Sequence, residues 1–225
     1  MAISLRLRTL LEYVKNTNVL ADIGTDHAYL PIEACKLSLC KTAIACDINK
    51  GPLEIAKKNI EVAGLTACIQ TRLGDGLAPL NSNEADTIVI SGMGGMAVWR
   101  ILQNPRAKEA KKLILQPQHN IPELRINLHQ AGFNISEESL IKEDGRFYII
   151  LIAAYGGEIA TYSPQEYFLG KGINNSDAYG SYLNHTEEKI LKYIDFLSDT
   201  EKENAMHQLE MLHNCKILEH LPHKT

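Results

Sequence analysis

Three aspartates, each closing a short apolar run, are the residues of this chain best placed to do chemistry. Asp22-Ile23-Gly24-Thr25-Asp26-His27-Ala28-Tyr29 closes the first run, Asp47-Ile48 the second and Gly74-Asp75-Gly76 the third. If the runs are adjacent parallel strands, these residues share the carboxyl edge of one sheet, where ligands settle in open α/β folds. Gly24 permits close backbone approach, but counted from it, the later glycines of a dinucleotide fingerprint are replaced by Asp26 and Tyr29. Asp26 would repel a pyrophosphate lying there. It would not repel a ligand bearing an ammonium and a sulfonium. Asp47, 23 residues after Gly24, is placed to accept both hydroxyls of an adenosyl ribose, and Asp75 to accept from an adenine amino group. The pattern favours S-adenosyl-L-methionine over NAD. Each aspartate also has a plainer use, Asp26 and Asp47 as helix N-caps and Asp75 as a turn residue.

A fourth run ends in Ser91-Gly92-Met93-Gly94-Gly95-Met96, where a methyl acceptor would sit on such a sheet. Methyltransferases acting on exocyclic amines generally carry an Asn/Asp-Pro-Pro-aromatic element there, and this chain has none. Glycines instead leave room and expose backbone groups to a flat ring. A Gly-rich turn, or a phosphate cradle at a helix N-terminus, would read the same way. His27 and Tyr29 are acid/base candidates by type, although a histidine at a helix start commonly serves as a structural donor, and Tyr29 could equally pack in the core or stack on a base.

The elements that must hold these residues alternate along the chain. A first amphipathic helix is expected over 4–15, with Leu7, Leu10, Leu11 and Val14 on one face. Strands follow at 18–23, 42–46, 67–72, 86–91 and 112–116. Helices are expected at 28–39, 51–63, through Trp99 and Leu102, and at 122–131. Alternation with short connections implies a parallel sheet covered on both faces. The rhythm breaks at 133–141 and 146–154, two β-like runs joined across Asp144-Gly145, a pair suited to a tight hairpin. The expected class is therefore α/β, a Rossmann-like sheet ending in an antiparallel hairpin. Residues 1–157 form the first domain and residues 158–225 a helical, coiled-coil-like second one. Ser163-Pro164-Gln165-Glu166 is a helix start, 170–180 a loop, and Thr200-Glu201-Lys202-Glu203 a second capping box between two long antiparallel helices.

Composition narrows the class. The 225 residues are 45% hydrophobic and carry a net charge of −4, spread unevenly. Residues 1–157 hold 17 Lys/Arg and 16 Asp/Glu, whereas residues 158–225 hold 6 and 11. Phosphate contacts are thus expected to be local and on the first domain, with Arg100, Arg106, Lys108, Lys111 and Lys112 as the best cluster, or else a solvated helix face. Five cysteines without a CxxC pair read as reduced thiols of a cytosolic protein. No apolar run reaches membrane-spanning length, and neither a secretory signal nor a metal site is expected.

Together Asp22-Ile-Gly-Thr-Asp-His-Ala-Tyr-Leu-Pro31, Gly74-Asp-Gly76, Ser91-Gly-Met-Gly-Gly95, Leu115-Gln-Pro117 and Glu143-Asp-Gly145 resemble the bacterial tRNA (adenine-N1)-methyltransferases of the TrmK family, over about residues 4–155. The resemblance implies methyl transfer to N1 of adenosine 22 in the D-arm region of tRNA, and a C-terminal helical domain. The cofactor-binding set it suggests is Arg6, Asp22, Gly24, Thr25, Asp26 and His27, with Asp47, Ile48, Asp75, Gly76, Ser91 and Gly92. Arg6 would hold the cofactor carboxylate or a phosphate. Tyr29, His27, Gly92, Met93 and Gly94 would form the acceptor site. The implied setting is cytoplasmic, with tRNA as partner and the protein a monomer or weak homodimer. Competing readings are a small-molecule methyltransferase, an NAD-dependent oxidoreductase, and a non-catalytic RNA-binding or scaffold protein that kept a cofactor fold.

Overall fold

The structure, a computed structural model, describes residues 3–219. The chain divides into two compact units, one up to Thr161 and one from Tyr162.

The first unit is built on strands β1 (Thr17–Ile23), β2 (Cys40–Asp47), β3 (Ile69–Leu73), β4 (Thr87–Met93), β5 (Lys112–Pro117), β6 (Phe133–Glu143) and β7 (Arg146–Tyr155). They form one sheet in the order β3-β2-β1-β4-β5-β7-β6. The first five are parallel, and β7 pairs antiparallel with both β5 and β6. The order explains the composition. Central strands bury both faces, so Leu20, Ala21, Val89, Ile90, Ile114 and Leu115 form near-continuous apolar runs rather than alternating ones. Asp144, at φ +49°, and Gly145, at φ +74°, take the left-handed turn that closes the β6–β7 hairpin.

Helices α1 (Leu5–Val14), α2 (Tyr29–Lys36), α3 (Lys50–Val62), α4 (Gly95–Leu102) and α5 (Ile121–Gln130) cover the sheet. Helix α1 starts at Ser4, whose Oγ accepts from the Leu7 amide at 3.1 Å, and it buries Leu10, Leu11 and Val14. Helix α2 is shorter than the expected 28–39. Ser38 turns left-handed at φ +55°, Leu39 donates back to the Ala34 carbonyl, and Cys40 already pairs with Thr17 in the sheet. On α5 the inward face carries an arginine: Arg125 is fully buried and meets Glu138 of β6 at 2.7 Å.

The topology places the site. From β1 the chain steps outward to β2 and β3, then returns to the other side of β1 for β4. At that reversal the connections leave in opposite directions, and a crevice opens beyond the carboxyl ends of β1 and β4. Ile23 and Ile90 are the last residues that these two strands pair with each other, directly before Gly24 and Ser91.

In the second unit, α6 (Pro164–Leu169) begins with a complete capping box between Ser163 and Glu166. The expected loop at 170–180 contains a 3-10 turn over Ile173–Asn175. Helices α7 (Tyr179–Tyr193) and α8 (Asp199–Glu219) follow, and Lys216 reaches Glu187 at 2.6 Å, so α8 runs back along α7. The cap of α8 is Ser198, not Thr200: the Ser198 amide donates to Glu201 Oε2 at 2.9 Å. Both Ser198 and Thr200 precede acidic residues, and the one lying just outside the first turn takes the role. Among the described residues, no helix is long and apolar enough to cross a membrane.

Candidate functional site

The turn after β1 is held in an unusual backbone conformation. Gly24, Asp26 and Ala28 all have positive φ, at +74°, +50° and +60°. For the two non-glycines this costs about 1–2 kcal/mol each. The Gly24 and Thr25 amides both donate to the Cys46 carbonyl at 2.9 Å, tying the turn to the end of β2. A Cβ on Gly24 would lie 2.2 Å from Met93 Cε, so strand β4 also closes against this glycine.

Two adjoining cavities open here. One, of about 420 Å³, is lined by Asp26, Asp47, Ile48, Asp75, Gly76 and Met93, among others. The other, of about 330 Å³, is lined by Arg6, Asp22, Thr25, His27 and Tyr29, with Ser4, Leu7 and Leu10 from α1. Gly24, Asp26, Ser91 and Gly92 belong to both, which makes one continuous crevice. Every residue of the two sets inferred from sequence lines it except Gly94.

Gly94 has a different task. A Cβ there would lie 2.3 Å from the His119 ring, and one on Gly95 would lie 2.4 Å from the Asn120 carbonyl oxygen. These glycines let the loop after β5 pack against the start of α4, whereas a Cβ on Gly92 would meet nothing nearer than 3.9 Å. The open floor is therefore Gly92 with Met93. Periodicity carried no sign of this, because residues 118–120 approach only through the β4–β5 pairing.

The crevice is electronegative. Asp26, Asp47 and Asp75 face one cavity, with the exposed Arg100 guanidinium 3.9 Å from Asp75 as the nearby cation. Asp47 is 7% exposed; its Oδ1 accepts from the Asn49 amide at 2.8 Å and its Oδ2 from the Asp26 amide at 3.4 Å. Asp22 is buried, and the Thr25 hydroxyl donates to it at 2.6 Å. Burial pushes the Asp22 carboxyl up to about 6; the Thr25 bond opposes the rise and the charge of Asp47 adds to it. The neighbouring Cys46 thiol is pushed up to about 12, first by burial and then by the charge of Asp22. His27 Nε2 lies 3.4 Å from Asp26 Oδ2, and its ring tilts against Tyr29 with centroids 5.4 Å apart. Tyr29 itself is 56% exposed.

The expected basic cluster does not form a patch. Arg106 pairs with Glu109 at 2.9 Å, Lys111 with Asp86 at 2.8 Å, and Lys112 donates to the Tyr13 carbonyl at 2.8 Å. Lys108 lies over the Tyr155 ring at 4.6 Å. Only Arg100 reaches the crevice, because these neighbours in sequence occupy a helix, a 3-10 turn and a strand that point them apart. Among the described residues, no group of three or more His, Cys, Asp or Glu side chains is arranged to hold a metal. A larger hollow of about 610 Å³ on the β2–β3 flank contains none of the predicted residues.

Comparison with known proteins agrees with this geometry. Residues 3–151 match the family model described as "Methyltransferase domain". The chain is 41% identical over 162 residues to the tRNA (adenine(22)-N(1))-methyltransferase of Bacillus subtilis, covering 71% of this chain and 68% of that protein. Among solved structures, Streptococcus pneumoniae Sp1610, a putative tRNA (m1A22) methyltransferase in complex with S-adenosyl-L-methionine, superposes with a TM-score of 0.86 at 32% identity, covering 95% of this chain and 99% of that one. Mycoplasma capricolum TrmK bound to S-adenosyl-homocysteine gives a TM-score of 0.84 at 29% identity, covering 95% and 97%. A parallel sheet closed by an antiparallel hairpin, an acidic crevice at its switch point and these likenesses agree: the chain belongs to the methyltransferase-domain family and, within it, to the tRNA (adenine(22)-N(1))-methyltransferases.

Proposed function

We propose that this chain methylates N1 of adenosine 22 in tRNA, using S-adenosyl-L-methionine. The observation that carries the reading is the convergence of Asp26, Asp47 and Asp75 on one cavity at the switch point of the sheet. The donor set fits a cationic adenosyl group. Three carboxylates face it, and Asp22 resists ionisation, chiefly through its burial, with the charge of Asp47 adding to the effect. A pyrophosphate would meet the same charges as repulsion. S-adenosyl-L-methionine supplies, when bound, a methyl group made electrophilic by its sulfonium.

The chain's own residues do the rest. Asp47 accepts from the ribose hydroxyls, Asp75 from the adenine amino group, and Arg6 holds the carboxylate. Tyr29 and His27, at the mouth of the smaller cavity, orient the target base over Gly92 and Met93. Adenine N1 carries an in-plane lone pair, so no proton need leave before it attacks. The task is alignment and exclusion of water, not general-base catalysis, and this accounts for the missing Asn/Asp-Pro-Pro element. N1 lies on the Watson–Crick edge, so the base must be unpaired or extruded, at a cost of a few kcal/mol.

The reading carries a cytoplasmic setting, and a monomer or weak homodimer. It assigns residues 1–157 to catalysis and residues 158–225 to a helical domain. It is tested by incubating the protein with unmodified tRNA transcripts and labelled cofactor, then identifying the modified nucleoside by mass spectrometry. 1-Methyladenosine at position 22 is the expected product. Methylation of small amines or phenols instead, or of no substrate, refutes it.

A further inference from the structure

The Leu115-Gln116-Pro117 segment has no part in the reaction described above, yet Gln116 is fully buried at the end of a strand whose other inward residues are aliphatic. A buried primary amide must be hydrogen-bonded to be tolerated, and the partners of this one are informative. Strand β4 pairs Ser91 with Gln116 and Met93 with Pro117, so Gly92 is an inserted residue, a bulge with φ +78°. The amide of such a residue loses its ladder partner. Gln116 Oε1 takes it, accepting from the Gly92 amide at 3.2 Å. The same oxygen accepts from Arg6 Nη1 at 3.2 Å, and Gln116 Nε2 donates to the Pro117 carbonyl at 3.1 Å. One carbonyl oxygen thus joins the bulge of β4 to a guanidinium carried by α1.

Arg6 is held from other directions too. Its guanidinium carbon lies 5.5 Å from the Tyr148 ring centroid, and the Glu143 carboxylate accepts from the Leu5 and Arg6 amides. Among the described residues no carboxylate pairs with the guanidinium, although it lines the smaller cavity. A guanidinium fixed through neutral groups, here an amide oxygen and a phenol ring, keeps its full charge for an anion. We infer that Gln116 is a positioning residue, setting both the Gly92 bulge and the Arg6 guanidinium so that Arg6 meets the carboxylate of the bound amino-acid moiety. The inference rests on the function proposed above.

The test is a double-mutant cycle on the intact protein, read as the dissociation constant of S-adenosyl-homocysteine by calorimetry, beside tRNA methylation. Arg6→Leu and Gln116→Leu are each expected to weaken binding about tenfold, and the double variant to be no more than about threefold weaker than Arg6→Leu. Gln116→Glu keeps both acceptor bonds, gives up the Nε2 bond to the Pro117 carbonyl, and spends the Arg6 charge. It is expected to weaken binding in the wild-type background and to have little effect in the Arg6→Leu background. Unchanged binding in Gln116→Leu, or equal effects of Gln116→Glu with and without Arg6, overturns the inference. If the wild type binds S-adenosyl-homocysteine but methylates no tRNA, the substrate reading fails while the cycle still decides the role of Gln116.

Discussion

Asp22→Asn is expected to stabilise the protein, and to do so only above a definite pH. Asp22 is 5% exposed, and its carboxyl is raised from 3.8 to about 6, chiefly by burial, with Asp47 adding to the rise and the Thr25 hydroxyl opposing it. A carboxyl raised in the folded state is stabilising while protonated. That contribution is complete below the unfolded value and is lost as pH climbs through the folded one. At about 1.4 kcal/mol for each tenfold change in proton affinity, the ionised side chain costs on the order of 3 kcal/mol above pH 7. Asparagine keeps an oxygen for the Thr25 hydroxyl and carries no charge. The difference in unfolding free energy between variant and wild type should therefore be near zero at pH 4. It should grow between pH 4 and 6 and level off at about 3 kcal/mol. Urea titrations of both proteins in matched buffers measure it, and taking the difference cancels groups common to the two. A pH-independent difference would refute the reasoning, because the penalty would then not be that of a buried negative charge.

Glu138→Ala removes the carboxylate facing the fully buried Arg125, and should cost about 3–5 kcal/mol in urea unfolding; a loss under about 1 kcal/mol would show that this pair does not hold α5 to the sheet. Gly95→Ala sets a Cβ 2.4 Å from the Asn120 carbonyl oxygen and should cost about 3 kcal/mol, whereas Gly92→Ala, strained only by its φ of +78°, should cost about 1–2 kcal/mol. The reverse order in thermal denaturation would contradict the packing of the loop after β5. Tyr29→Ala, at an exposed position, should change stability by less than about 0.5 kcal/mol yet lower kcat/KM for tRNA at least about tenfold with the cofactor KM held. Unchanged turnover removes Tyr29 from the acceptor site.

Much of this molecule was legible in the order of its residues. Alternating apolar runs and helical periods specify a parallel sheet, because a strand buried on both faces must be apolar through its middle, as β4 is over 88–90 and β5 over 113–115. Asp-Gly at 144–145 marks the hairpin, because few other residue pairs accept two left-handed conformations in succession. Asp26, Asp47 and Asp75 could be grouped from sequence, since parallel strands with short returns bring their carboxyl ends to one edge. Contacts made across that edge could not be read in advance. Gly94 resembles Gly92 in its local sequence, yet one packs against His119 and the other faces open space. Five basic residues within 100–112 look like a patch until the turns between α4 and β5 send them to different partners. Gln116 looks like any polar residue ending a strand until β4 bulges beside it and α1 brings Arg6 within 3.2 Å. Periodicity reports which face a residue turns to the core, a property of its own segment. Which side chain it meets there depends on distant segments, 110 residues away in the case of Arg6 and Gln116, and only the packed chain brings them together.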